Sequence, residues 1–369
     1  MRIKIVVEDR YMDKVIGIIT FHNIINFGSW LQTYALYKKL CDIGVKAEVI
    51  DYWADNPIKS QRISVYKCVE LLRKKNWGIN QILNKLLVKQ SWIDIYSHRY
   101  MKISRQKYDK NNIKRVNDYY DTLMVGSDLV WDTRITNEDY RYMLDFAEDA
   151  KKKVAYAASL GYEEIPQEQI AIYKRCLSRF QFITVREDRA QQLLREIVEV
   201  PIEVVSDPTM LLTKREWLSF VRKTNKFGNY VLVYFLDDQQ QILKLAKRYA
   251  HKHRCKVLFI SYEHGATEQH VSPANVSEFL TLIYHAQKIF TASYHGILFS
   301  IYFEKQFVYS NRRPEDRMRS VARRLGIENL EIHGDEFNLE QQADYMTITP
   351  RVKEFRKQSL KFLKQMVRI

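Results

Sequence analysis

Cysteine is scarce and scattered: Cys41, Cys68, Cys176 and Cys255 form no CxxC pair. Their spacing argues against a disulfide framework and a thiolate zinc site, and it suits reduced thiols in a cytosol. Glycine and proline are also few, 11 and 7 in 369 residues, which excludes a fibrous or low-complexity chain. The apolar run from Val15 to Phe21 is too short to span a bilayer, and the residues before it mix Arg2, Lys4, Glu8, Asp9 and Arg10. Neither an export signal nor an anchor is expected, and the expected location is cytoplasmic. GxGxxG spacing and the P-loop lysine are both missing after the first predicted strand, so ordinary ATP or dinucleotide cradling is not expected. His251 with His253, and His264 with His270, lack the carboxylate and helix pattern of a zincin. They read as surface residues, and no metal site is expected.

What the chain does have is apolar and basic. Hydrophobic residues make up 46% and charged residues 28%, the profile of a packed globular protein long enough for two domains. The net charge is +15, and residues 59–115 hold fifteen Lys/Arg against three Asp/Glu. Between Arg62 and Trp92 the basic residues alternate with Ile, Val, Leu and Trp, which predicts a helical insertion over about residues 59–115 of the first domain. Two readings stay open for it: an element lying on an anionic membrane surface, or a helical pair packed on its own domain with a solvated basic face. Nucleic acid is not an expected partner, because the charge is concentrated in this insertion and no RNP-type or finger motif accompanies it.

Along the chain, strand and helix patterns alternate. Val15 to Thr20 predicts a strand, Ser29 to Asp42 a helix and Lys46 to Asp51 a second strand, together a right-handed βαβ unit. Further strands are predicted at Thr122 to Gly126, Val154 to Ala157, Phe182 to Val185 and Ile202 to Val205. After Asp207 and Pro208 the alternation restarts. Strands are predicted at Tyr230 to Leu236, Lys256 to Ser261, Lys288 to Ala292 and Phe307 to Tyr309, with helices at Gln239 to His253, Val276 to His285, after His295, and at Glu315 to Leu325. A last helix is predicted from Val352 to Val367. The fold class expected is α/β, with two Rossmann-like domains facing across a cleft and ligands at the carboxyl ends of the strands. The expected division is 1–208, 209–345, and a C-terminal helix within 346–369 that packs back on the protein.

Candidate site residues stand at the predicted strand ends. The loop from His22 to Gly28 leads into the first helix, where backbone N–H groups and the helix dipole favour an anion or a hydroxyl, although a purely structural loop is equally open. Gly126, Ser127 and Asp128 follow a strand; Asp128 could receive a sugar hydroxyl or act as a base, or the pair could cap the next segment. Arg186 ends another strand, where a guanidinium suits bidentate binding of carboxylate or phosphate or pairing with a nearby acid. Ser293, Tyr294, His295 and Gly296 join a strand to a helix, which places His295 at a helix N-terminus that suits it to proton transfer. Arg312, Arg313 and Arg317 follow the next strand and could line an anionic pocket or stand in solvent.

Five separated motifs occur in order: Thr20, Phe21, His22, Asn26, Phe27, Gly28, Leu31 and Gln32; Gly126, Ser127, Asp128 and Trp131; Val185, Arg186 and Glu187; Asp207 and Pro208; and Ser293 to Gly296. Together they resemble the polysaccharide pyruvyl transferase family, from about Lys14 to about Gly326. The resemblance implies a GT-B-like fold, phosphoenolpyruvate as donor, a sugar of a cell-surface polysaccharide precursor as acceptor, and a pyruvate ketal as product. It implies no cofactor. By the same resemblance Arg186 matches the arginine that grips the donor and His295 the histidine at the donor site. His295 is the expected catalytic residue, and Ser293, Tyr294 and Gly296 are expected to join Arg186 in binding the donor. His22, Asn26, Gly28, Gln32, Ser127 and Asp128 face the acceptor, which could be lipid-linked. Ser293 stands where some branches carry a donor-binding arginine, so Arg312, Arg313 or Arg317 is expected to supply that charge. The alternative function is a GT-B-type glycosyltransferase with a nucleotide-sugar donor.

Overall fold

The computed structural model describes residues 15–54, 88–235, 240–260, 270–311, 316–334 and 337–368. Within them lie two fully parallel sheets. The first holds seven strands: β1 (Val15–Ile19), β2 (Lys46–Tyr52), β3 (Ile103–Tyr108), β4 (Thr122–Val125), β5 (Lys152–Ala158), β6 (Phe182–Val185) and β7 (Ile202–Val204), in the order β3-β2-β1-β4-β5-β6-β7. The second holds β8 (Tyr230–Tyr234), β9 (Lys256–Ile260), β10 (Lys288–Thr291) and β11 (Gln306–Tyr309), in the order β11-β10-β8-β9. The inner strands TLMV, YVLVY and KIFT are buried at every position, as expected of parallel strands covered on both faces.

The helices that matter here are α1 (Phe27–Asp42), α2 (Ser91–Tyr100), α3 (Gln167–Leu177), α4 (Asp188–Arg195), α5 (Gln240–Lys252), α6 (Val276–His285), α7 (Tyr294–Tyr302), α8 (Asp316–Leu325) and α9 (Tyr345–Val367). Both sheets contribute to one continuous apolar core, which includes Ile16 and Val49 from the first and Leu232 and Ile289 from the second. Aromatic rings knit the halves together: Phe27 of α1 stacks on Phe279 of α6 with centroids 5.2 Å apart, and Trp30 reaches Phe220 edge-on at 6.2 Å. The two Rossmann-like units are thus cemented along one side, and their strand ends converge beside the seam. This is the GT-B-like arrangement of two facing lobes.

Two expectations need correcting. The helical insertion predicted over residues 59–115 does not run that far: its part over 55–87 lies outside the described residues, α2 follows, and Ile103–Tyr108 is the edge strand β3. Its alternation of buried Ser104 and Tyr108 with exposed Arg105 and Lys107 is that of a charged sheet edge. The last helix begins at Tyr345 rather than Val352 and runs through Pro350, because Asp344 caps it by accepting from the Met346 N–H at 3.0 Å. On its inner side Ser359 Oγ accepts from the Ser206 N–H at 2.8 Å and Arg356 Nε donates to the Met210 carbonyl at 2.5 Å. Helix α9 therefore braces the segment that carries Asp207.

Candidate active site

Each polar element of the site leaves the carboxyl end of a parallel strand. After β6, Arg186 is fixed by its backbone N–H to the Ala158 carbonyl at 3.2 Å, and its side chain is only 1% exposed. Its Nη1 donates to Asp207 Oδ2 at 2.9 Å, its Nη2 lies 3.8 Å from Asp128 Oδ1, and its guanidinium covers the Tyr294 ring at 4.7 Å. Nε and Nη2 have no hydrogen-bond partner. Burial opposes the charge, but Tyr294, Asp207, Asp128 and Glu187 outweigh it and hold the guanidinium more basic than usual. A buried, charged fork with two idle nitrogens is costly unless a ligand completes it.

After β7, Asp207 is fully buried. Its Oδ1 accepts from the Thr209 N–H at 2.9 Å and from Thr209 Oγ1 at 2.6 Å; its Oδ2 takes Arg186 and, at 3.5 Å, Ser127 Oγ. The same Oδ2 is 3.6 Å from His295 Nε2. Burial raises its pKa, but the His295 imidazole, the Arg186 charge and the Thr209 hydrogen bond overcome that and keep it well below the usual carboxylate range. Beside it Glu187 is pushed up by burial, although Arg186 and hydrogen bonds from Ser159 Oγ and the Leu160 N–H, each 2.8 Å, counteract the shift.

After β10, Ser293 caps α7: its Oγ accepts from the Gly296 N–H at 3.4 Å. The helix starts at Tyr294 rather than after His295, which puts the imidazole in its first turn. His295 Nε2 is buried without a hydrogen-bond partner. Gly296 is a packing residue, since a Cβ there would come within 2.3 Å of Thr291 Oγ1. The Gly296 N–H, among the expected donor-binding groups, is directed at Ser293 Oγ. Of the three arginines expected nearby, Arg317 lies 6.0 Å from the Tyr294 ring centroid, against 4.7 Å for Arg186. Arg312 and Arg313 lie outside the described residues.

Helix α1, from the same seven-stranded lobe as Arg186 and Asp207, packs against His295 of the other lobe. Asn26 is its N-cap, with Oδ1 accepting from the Gly28 N–H at 2.8 Å and the Ser29 N–H at 3.4 Å. Ser29 Oγ donates to Asp128 Oδ2 at 2.5 Å. Asp128 takes a backbone φ of +85°, unusual for a residue with a side chain and a conformation that concentrates at functional sites. It does not cap the following helical turn; Asp132 does.

His22 and Gln32, expected to face the acceptor, are instead buried braces. His22 Nε2 is 3.0 Å from Asp51 Oδ1 and Nδ1 is 3.3 Å from the Thr20 carbonyl, which ties β1 to β2. Gln32 Nε2 donates to the Ser29 carbonyl at 2.9 Å and to Thr20 Oγ1 at 3.1 Å. The structure thus groups His295, Arg186, Tyr294, Asp128, Ser127 and Gly28. It adds Thr209 and Ser29, and it gives Asp207 of the fourth motif its place beside Arg186. The signal for Asp207 was available: an acid directly after a strand and before a proline, the same register as Asp128 after β4.

The fold and this cluster define a two-lobed α/β protein with buried charged side chains gathered between facing strand ends. A family model described as polysaccharide pyruvyl transferase matches residues 26–312. The chain belongs to that family, and hence among transferases of polysaccharide biosynthesis. No curated protein matches the sequence. Among solved structures it is similar to a putative UDP-N-acetylglucosamine 2-epimerase from Listeria monocytogenes, with 12% identity, 95% of this chain and 88% of the other covered, and a TM-score of 0.49. The UDP-GlcNAc 2-epimerase from Neisseria meningitidis bound to UDP-GlcNAc is 12% identical over 96% and 93% of the two chains, with a TM-score of 0.47. No helix among the described residues is long and apolar enough to cross a membrane.

Proposed function

We propose that this protein transfers the pyruvyl group of phosphoenolpyruvate to a sugar of a cell-surface polysaccharide precursor on the cytoplasmic side, forming a pyruvate ketal. One observation carries the reading: Arg186 Nε and Nη2 and His295 Nε2 are all buried and unpartnered around one carboxylate. Three idle donors in one dry wall call for an anion with several acceptor oxygens, which a carboxylate and a phosphate on a three-carbon skeleton provide. Arg317, which like Arg186 lies over the Tyr294 ring, supplies the second cation in place of Ser293.

The chemistry then needs one acid and well-placed charge. His295 gives its proton to the methylene carbon, leaving positive character at the neighbouring carbon. A sugar hydroxyl attacks there and its proton returns to the imidazole. Phosphate leaves with the electrons of its C–O bond, a second hydroxyl closes the ring, and that hydroxyl's proton ends on phosphate. Asp128, aimed by its backbone and held by Ser29, receives the acceptor hydroxyls from the opposite lobe.

The test is mass spectrometry of candidate lipid-linked oligosaccharides incubated with the protein and phosphoenolpyruvate. A mass gain equal to pyruvic acid less one water is expected. Thermal stabilisation by UDP or GDP, with none by phosphoenolpyruvate, would instead assign a nucleotide-sugar donor.

A further inference from the structure

Away from the cleft, α9 presents an unusual outer face. Met346, Lys353, Lys357, Lys361, Lys364 and Arg368 are all exposed, and their spacing returns each to the same side of the helix. At about 1.5 Å per residue the line is roughly 33 Å long. Among the described residues Lys353, Lys357, Lys361 and Lys364 form no ion pair, whereas Lys38, Lys214 and Lys252 each have a carboxylate partner. Cations left unpaired along a straight ridge repel one another, which a negative surface would relieve.

The surroundings extend the pattern. Beside Lys361, Arg195 and Arg324 line a hollow of about 500 Å³ with Phe362 in its wall, and Arg324 Nε is buried without a partner. At the C-terminal end Lys152 Nζ donates to the Arg368 carbonyl at 3.1 Å and sits 5.8 Å from the ring of Phe182, which is 40% exposed. At the other end Met346 is 87% exposed. Four carboxylates are near: Glu354, which accepts from Gln358 at 3.0 Å, Glu203 in the hollow, Asp188, which pairs with Arg324 beside it, and Asp344, the N-cap next to Met346. None stands on the line.

We propose that this ridge is a docking surface for an anionic phospholipid bilayer. A straight row of free lysines suits a flat polyanion, the hollow has room for a phosphate headgroup, and apolar Met346 and Phe182 flank the ends where an interface would accept them. The ridge has no aromatic platform among its six residues, which a single-stranded nucleic acid would need for stacking. The proposal does not depend on the donor assigned to the cleft.

The experiment is flotation of the full chain with phosphatidylcholine vesicles, with and without phosphatidylglycerol, at low and moderate salt. Wild type is expected to float only with phosphatidylglycerol and to be released by salt. A Lys357→Glu, Lys361→Glu, Lys364→Glu variant is expected to lose on the order of 100-fold in partitioning, while its melting temperature and phosphoenolpyruvate affinity stay at wild-type values. A Lys74→Glu, Lys75→Glu variant controls for the other basic stretch. Equal flotation of wild type and the α9 variant overturns the proposal. So does release by the control variant alone, or tighter binding to single-stranded RNA than to the anionic vesicles at the same salt.

Discussion

The imidazole of His295 packs directly on Gly28, so closely that a Cβ on residue 28 would stand 2.2 Å from Nδ1. The two residues come from opposite lobes, one opening α1 and the other in the first turn of α7. The contact therefore sets the distance between the lobes as well as the position of the ring.

Gly28→Ala follows from it. The added methyl overlaps the ring edge, with Cε1 and Cγ both 2.8 Å away, and neither helix backbone can yield without parting the lobes. The variant should lose about 1–3 kcal/mol of stability, as overpacked sites do. Its kcat should fall on the order of 100-fold because the proton carrier is displaced. Denaturant unfolding and initial rates check this; a variant as active as wild type would mean that the ring works from another position.

Arg186→Lys separates charge from geometry. Lysine keeps a cation but cannot both hold Asp207 and offer two further N–H groups, and it loses the stack on Tyr294. KM for phosphoenolpyruvate should rise about 10- to 100-fold. Arg186→Ala should cost on the order of 3–5 kcal/mol, since it strands the Asp207 carboxylate without its buried partner. Calorimetric titration of the donor would refute the clamp if the lysine variant bound as tightly as wild type.

Acid unfolding distinguishes two adjacent buried acids. Asp207 has a folded pKa below its unfolded value of about 3.9, so the unfolded chain takes up the proton first. Its contribution is complete above about pH 4 and drains away as the pH falls further. Glu187 is shifted the other way by burial, so its ionised form detracts from stability above about pH 4.3 and the penalty lifts on acidification. Urea midpoints measured from about pH 6 to about pH 2 should fall less steeply below pH 4 for Asp207→Asn than for wild type, whatever its absolute stability. Parallel curves would show that Asp207 is not held ionised.

Much of this was legible in the sequence, for identifiable reasons. Strands such as Tyr230–Tyr234 and Lys288–Thr291 are buried on both faces, so they read as unbroken apolar runs, and the residues that follow them fall at the cleft. Arg186 and His295 were found in that way. Strand β3 was not, because its side chains Arg105 and Lys107 merge with a basic neighbourhood and its apolar content is small. The burial of His22 and Gln32 depends on partners far along the chain or hidden by folding, Asp51 and Thr20 among them, which no local pattern reveals. Asp207 was visible as an acid at a strand end, but its three-way role depends on Arg186, Thr209 and His295 meeting in space.

Asp128 offers a case where stability and activity should move in opposite directions. Its φ of +85° costs a residue with a side chain on the order of 1 kcal/mol, and glycine adopts that conformation freely. Asp128 is partly exposed, and the buried Ser29 hydroxyl it holds can turn to a carbonyl of its own helix, so little packing is lost with the carboxylate. Asp128→Gly is therefore expected to match or exceed wild-type stability by up to about 1 kcal/mol, and Asp128→Ala to be less stable than the glycine variant. Both should lose activity about 100-fold or more if the carboxylate serves the acceptor hydroxyls. Thermal melts paired with rates on the two variants give the answer: strain kept for function predicts a stable, inactive glycine variant. A glycine variant that stays active would remove Asp128 from the reaction and leave it a local partner of Ser29, the Leu129 N–H and Arg186.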